Sequence, residues 1–274
     1  MASCPPASPN FLIKKRSQMK IPIFAGGLAL LFSAQWPATG FAAHPLLTED
    51  TGTQGAGSFQ LELTHDLSSD RDADTQTRNR SISAVFSAGL TDDLDFILAL
   101  PHERLTERAD ATKTTVTGYG DLEIAAKWRF YEAGALSFAL RPGLGLPTGN
   151  EDKGLGAGHV TPSLFAVSTY ARDDWAFHLH VGYSHVPHPG PDERHHIYHA
   201  SVAAEYSVNE SLRLVGDASI ERNGERTGHP GVGSMVIGLV VSLTPDLDFD
   251  FGYRTGLTEP AADHAWLAGL ALRF

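Results

Sequence analysis

From Phe59 onward, apolar and polar residues alternate in stretches of roughly ten, each closed by a turn signal, which is the pattern of strands that show one face to an apolar medium. Read at a period of two, strands are predicted at 57–66, 77–89, 94–102, 119–131, 135–146, 160–170, 175–185, 197–207, 211–221, 232–243, 247–256 and 264–274. The clearest apolar rows are Leu122, Ile124, Ala126, Trp128 and Phe130; Phe177, Leu179, Val181 and Tyr183; and Met235, Ile237, Leu239, Val241 and Leu243. Asp121, Glu123, Lys127, Arg129, His178 and His180 occupy the other parity on two of these strands.

The connections alternate in length. Short turns are predicted at 91–93, 132–134, 172–174, 208–210 and 244–246, and longer polar links at 67–76, 103–118, 147–159, 186–196, 222–231 and 257–263. An even number of strands with both ends on the short-turn side is the layout of an outer-membrane barrel. Lipid offers no partner to backbone N–H and C=O groups, so the first strand must pair with the last. The expected fold class is therefore all-β, a transmembrane antiparallel up-and-down β-barrel of 12 strands.

Aromatic residues on the apolar rows gather toward both strand ends and set this pattern apart from a soluble sandwich. Phe59, Phe96, Phe130, Trp175, Tyr206 and Phe249 fall at one edge, and Tyr183, Tyr198, Tyr253 and Trp266 at the other. The last row, Trp266, Ala268, Leu270, Leu272 and Phe274, ends on an aromatic and reads as an assembly signal for the barrel machinery. Residues 1–43 have the order of a removable signal peptide: Lys14, Lys15, Arg16 and Lys20, an apolar run over 21–32, then Phe41-Ala42-Ala43. Met19 could itself serve as the start. Residues 44–56 form a polar segment ahead of the barrel at 57–274, either hanging in the periplasm or folding back to plug the lumen.

Charge then narrows the function. Taking the four basic signal residues from the chain's 21 Lys and Arg leaves 17 against 32 Asp and Glu, a net charge of −15, which excludes general phosphate attraction to nucleic acid. Cys4 is the one cysteine, and it precedes the apolar run, so the exported part carries no thiol. No cofactor fingerprint is present.

With apolar rows facing lipid, the opposite parity lines the interior: Asp95, Asp121, Glu123, Lys127, Arg129, Arg141, Glu205, Arg213, Asp217, Asp248, Asp250 and Arg254. Such charges set size and charge selectivity in a pore, or simply hydrate and brace its wall. Histidine is over-represented between residues 178 and 199; His178, His180, His188, His195 and His199 are candidate metal ligands, the plainer reading being a wet, polar wall and loop. Tyr183-Ser184-His185 is the one local hydrolase candidate. Neighbouring strand residues point to opposite faces, so it is expected to fail, and no catalytic residue is assigned.

The order Gly118-Tyr119-Gly120-Asp121-Leu122, Lys127-Trp128-Arg129-Phe130 and Leu146-Pro147-Thr148-Gly149 resembles the family labelled "MetA-pathway of phenol degradation". Gly89-Leu90-Thr91-Asp92-Asp93-Leu94-Asp95 and the segment 44–55 add to the resemblance. It implies an outer-membrane barrel for uptake of small, often aromatic or apolar compounds. It supplies no ligand residues and does not extend to the histidine cluster. The reading is a non-enzymatic channel, with a metal-handling barrel and an outer-leaflet lipid hydrolase as alternatives. Its expected partners are outer-membrane lipid and lipopolysaccharide, the assembly machinery and a small solute.

Overall fold

A computed structural model describes residues 44–71, 75–109, 112–187 and 192–274. Residues 1–43, expected to be a signal peptide and including Cys4 and Met19, lie outside the described residues, as does His188. The strands are β1 (Phe59–Arg71), β2 (Thr75–Thr91), β3 (Leu94–Ala109), β4 (Thr112–Tyr119), β5 (Leu122–Ala133), β6 (Leu136–Leu146), β7 (Thr161–Arg172), β8 (Trp175–His185), β9 (His196–Asn209), β10 (Leu212–Arg222), β11 (Gly231–Thr244), β12 (Leu247–Gly256) and β13 (His264–Arg273). Neighbouring strands pair antiparallel around a full circle, and β1 meets β13 from Gln60 opposite Arg273 to Ser69 opposite His264. Both β4 and β5 pair with β3, which makes them two halves of one stave interrupted at Gly120-Asp121. The result is a closed barrel of twelve staves.

The period-two pattern has a physical cause in this closure. Side chains such as Leu179 and Ile237 are 47% and 61% exposed on the outer surface, an apolar band that a water-soluble surface does not tolerate at this extent. The alternate residues point inward and are small or polar: Ala125, Ala139, Ala203, Ser201, Asp95 and Asp248. Five connections are tight, at Asp92-Asp93, Gly134-Ala135, Asp173-Asp174, Glu210-Ser211 and Pro245-Asp246. Register shifts occur beside four of them, as bulges do at barrel rims. On this rim Phe274 and Phe59 exchange backbone hydrogen bonds of 2.8 and 3.0 Å, and their rings stack at 5.8 Å. Trp266, Leu270 and Leu272 continue that outward row.

Two predicted links are strand instead. Residues 67–71 and 75–76 extend the β1–β2 hairpin, and 103–109 and 112–118 extend β3 and form β4. Their polar residues obscured the signal, because above the membrane both faces of a sheet meet water and the apolar alternation vanishes. At 17 and 16 residues, β2 and β3 outrun the ten-residue β12 and β13, and by register they run about 10 Å past the rung of His264 at the end of β13.

Candidate functional site

The barrel interior is crossed by the segment His44–Ala56, which therefore plugs the lumen and does not hang free. His44 Nδ1 lies 2.5 Å from Asp250 Oδ1 on β12. Pro45 sits where Gly238 and Gly252 face inward; a Cβ at either position would lie 2.8 Å from the proline ring, so a larger residue would push the segment away. Leu46 is buried with Ala203, Val215 and Val240, while Leu47 packs on Val236, Ala265 and Leu267. The backbone then turns its donors on the wall. Leu47 and Thr48 donate to one carboxylate oxygen of Asp217 at 2.9 and 2.7 Å, and Gln54 N donates to both oxygens of Asp95 at 3.1 and 3.0 Å. Thr51 N donates to Thr169 Oγ1 at 3.1 Å, and Thr53 Oγ1 to the Asp92 carbonyl at 2.7 Å. These contacts reach both sides of the barrel at its short-turn half.

Glu49 is the electrostatic centre of the plug. It lies 3.1 Å from Lys127 Nζ and 3.2 Å from Arg141 Nε, with Asp50 3.8 Å from the same lysine. Burial works against ionisation of Glu49, but the Lys127 and Arg141 cations outweigh it and hold the carboxyl below its ordinary range. Arg141 also binds Glu123 at 2.7 Å. A second chain runs along the wall: His178 to Glu205 at 3.3 Å, Glu205 to Arg213 at 2.9 Å, Arg213 to Asp248 at 3.4 Å and Asp248 to Arg273 at 2.6 Å. Arg254 pairs with Asp66 at 2.7 Å nearer the outer mouth.

The interior candidates thus divide. Asp95, Asp217 and Asp250 hold the plug, as do Lys127 and Arg141, whereas Glu205, Arg213, Asp248 and Arg254 brace the wall. Asp121 and Arg129 stand apart from the pairs made by Glu123 and Lys127. Asp121 accepts from the backbone of Gly149 at 2.9 Å and Ala157 at 2.7 Å, folding the loop 147–159 over the mouth, where Leu155 lies against Gly118. Arg129 turns to the opposite rim and binds Asp93 at 3.2 Å and Glu132 at 3.1 Å.

The histidines are not gathered into a metal shell. Among the described residues no group of three or more His, Cys, Asp or Glu could hold a metal ion. His178 is engaged by Thr169 at 2.9 Å and by Glu205; His199 by Ser201 at 3.0 Å and Glu221 at 3.5 Å; His195 by the Val186 carbonyl at 2.9 Å. His180 stacks between Phe165 and His199 at 4.8 and 5.1 Å. Hydrogen bonds and ion pairs take His178, His195 and His199 to separate partners, and His180 is held by ring contacts. Sequence reasoning missed Glu49 and Asp50 as partners of the interior cations, although two adjacent acids in a segment ahead of a lumen carrying Lys127 and Arg141 are a usable signal of charge complementarity.

A family model described as "Putative MetA-pathway of phenol degradation" matches residues 48–274. Among solved structures, the chain is similar to the COG4313 outer membrane channel from Pseudomonas putida F1, with a TM-score of 0.69, 19% identity, and coverage of 82% of this chain and 98% of that one. It is also similar to the NanC porin, with a TM-score of 0.53, 9% identity, and coverage of 78% and 98%. The KdgM porin gives a TM-score of 0.50, 9% identity, and coverage of 78% and 99%. At these identities the likeness is one of fold. No curated protein matches.

Proposed function

The chain belongs to the family described as the putative MetA-pathway of phenol degradation, and from that premise we propose that it is a passive outer-membrane channel, not an enzyme, for small organic solutes, its lumen narrowed by its own N-terminal segment. The observation that carries this reading is a sealed apolar exterior around a charged interior whose obstruction is held by non-covalent bonds alone. Twelve strands enclose more space than an eight-stranded barrel, which side chains fill, and less than the open sixteen-stranded porins. With Arg141 and Arg213 and the plug occupying that section, single small molecules are the fitting cargo. The family description favours aromatic compounds, and an aromatic solute could slip past Leu46 and Leu47 without stripping an ion of water.

Planar-bilayer conductance and liposome swelling test this with the refolded chain beside a variant lacking residues 44–54. The full chain should conduct weakly and admit small aromatic acids, and the truncated one should conduct several-fold better. If both are silent to every small solute, the chain is a closed structural barrel.

A further inference from the structure

The extended hairpins that rise from the barrel carry a charge segregation unrelated to the lumen. The registers align three rungs across neighbouring strands on the outward face. The lowest is Trp266, Leu67, Arg80, Arg104 and Thr117; the next His264, Ser69, Arg78, Thr106 and Thr115; the highest Arg71, Gln76, Arg108 and Lys113. Directly beneath lies an interfacial rung containing Ile82, His102 and Tyr119, the last two in edge contact at 5.1 Å. All six cations of these rungs are exposed. The described acids of the same hairpins, Asp66, Asp70, Glu103 and Glu107, stand on the alternate parity and face inward. Among the described residues none of Arg78, Arg80, Arg104, Arg108 and Lys113 is in an ion pair. Among the described residues Asp263 is the one acid lining this surface, and it accepts the Arg71 backbone N–H at 3.1 Å.

These side chains line a concave surface of about 750 Å³ that opens outward above the lipid-facing Trp266. Strands about 4.8 Å apart and rungs about 6.7 Å apart spread the cations over roughly 14 by 13 Å. That is too broad for one phosphate. A chain with net charge −11 has no solubility reason to concentrate six like cations on one face while turning Asp66, Asp70, Glu103 and Glu107 of the same strands to the other. The height also matters, since the lowest cations sit one rung above the aromatic boundary, where lipid headgroups lie.

We propose that this face binds lipopolysaccharide of the outer leaflet, with Arg80 and Arg104 on its headgroup phosphates and Arg78, Arg108 and Lys113 on the anionic sugars above. The inference rests on the membrane-barrel reading. Planar, always-charged guanidinium forks suit phosphate, and basic residues at a lipid surface attract anionic headgroups additively.

The test uses the refolded full chain in neutral detergent micelles, titrated with purified lipopolysaccharide, phosphatidylglycerol or inorganic phosphate. Lipopolysaccharide should bind far more tightly than phosphatidylglycerol, and the double variant Arg80→Gln/Arg104→Gln should weaken it about 25-fold, with conductance unchanged. Binding should fall as salt rises, whereas millimolar phosphate should not compete. Equal binding by the variant would overturn the site, equal binding of phosphatidylglycerol would reduce it to general charge attraction, and capture of phosphate alone would make it a solute site. Heat-modifiable gel migration checks the barrel in each sample. Loss of that shift in the unaltered chain would count against the barrel itself, and loss in the variant alone would move the comparison to Arg78→Gln/Arg108→Gln.

Discussion

Replacing Glu49 by Gln should loosen the plug, and the expected size follows from its partners. The carboxylate makes one charged contact at 3.1 Å to Lys127 and one at 3.2 Å to Arg141, and all three side chains are less than one fifth exposed. A hydrogen bond to a charged group is worth about 1.5 to 3 kcal/mol, and the Lys127 contact is one; Arg141 Nε adds charge attraction without a hydrogen bond, so the gross loss is about 3 kcal/mol. Two things reduce it. Lys127 keeps Asp50 and Arg141 keeps Glu123, so neither cation is stranded, and Gln retains a neutral hydrogen bond. A net cost of about 2 kcal/mol remains, which raises the undocked population about 30-fold.

A cysteine at Thr48 reports that population. Thr48 is 1% exposed, and Cys4 is the chain's one native cysteine. In refolded barrels, a charged thiol reagent should modify Thr48→Cys slowly, and Thr48→Cys/Glu49→Gln about 30 times faster. Acid should do the same to the parent. Docking lowers the Glu49 pKa, so its contribution is complete above the ordinary carboxylate range and is lost as pH falls through the docked value, with Lys127, Arg141 and His180 all facing the group. The Glu49→Gln barrel should lack most of this acid response. Rates that agree within threefold at neutral pH, or a parent labelled as fast as a free peptide, would refute the docked plug.

Gly252→Val should displace Pro45 and raise single-channel conductance without altering heat-modifiable migration; unchanged conductance would mean that the proline does not narrow the path. Leu239→Arg, between Leu214 and Phe251 on the lipid face, should cost about 2 to 4 kcal/mol in unfolding from lipid, and a penalty near zero would show the faces to be reversed. The interior holds Glu49, Asp95, Glu123, Asp217, Asp248 and Asp250 within low-dielectric walls, so reversal potentials across a salt gradient should show cation preference, and clear anion preference would refute that charge balance.

The sequence by itself determined the barrel and the facing of its residues. Lipid imposes an apolar residue at every second position and closure imposes an even count, both local enough to read in rows such as Met235 to Leu243. The tight turns were equally legible, because a two-residue reversal such as Asp173-Asp174, with Asp173 at φ 54°, needs particular residue types. Period two was silent where both faces of a strand meet water, and so the hairpin ends carrying Arg71, Arg104, Arg108 and Lys113 were read as loop. The tertiary structure alone decided which interior charges meet. Leu47 finds Asp217 170 positions away, and His44 finds Asp250 206 positions away. Histidines 178, 195 and 199, close in sequence, are claimed by separate partners. A period records which side of a wall a residue faces, but what fills the space inside depends on shape and charge matching between segments that no periodicity connects.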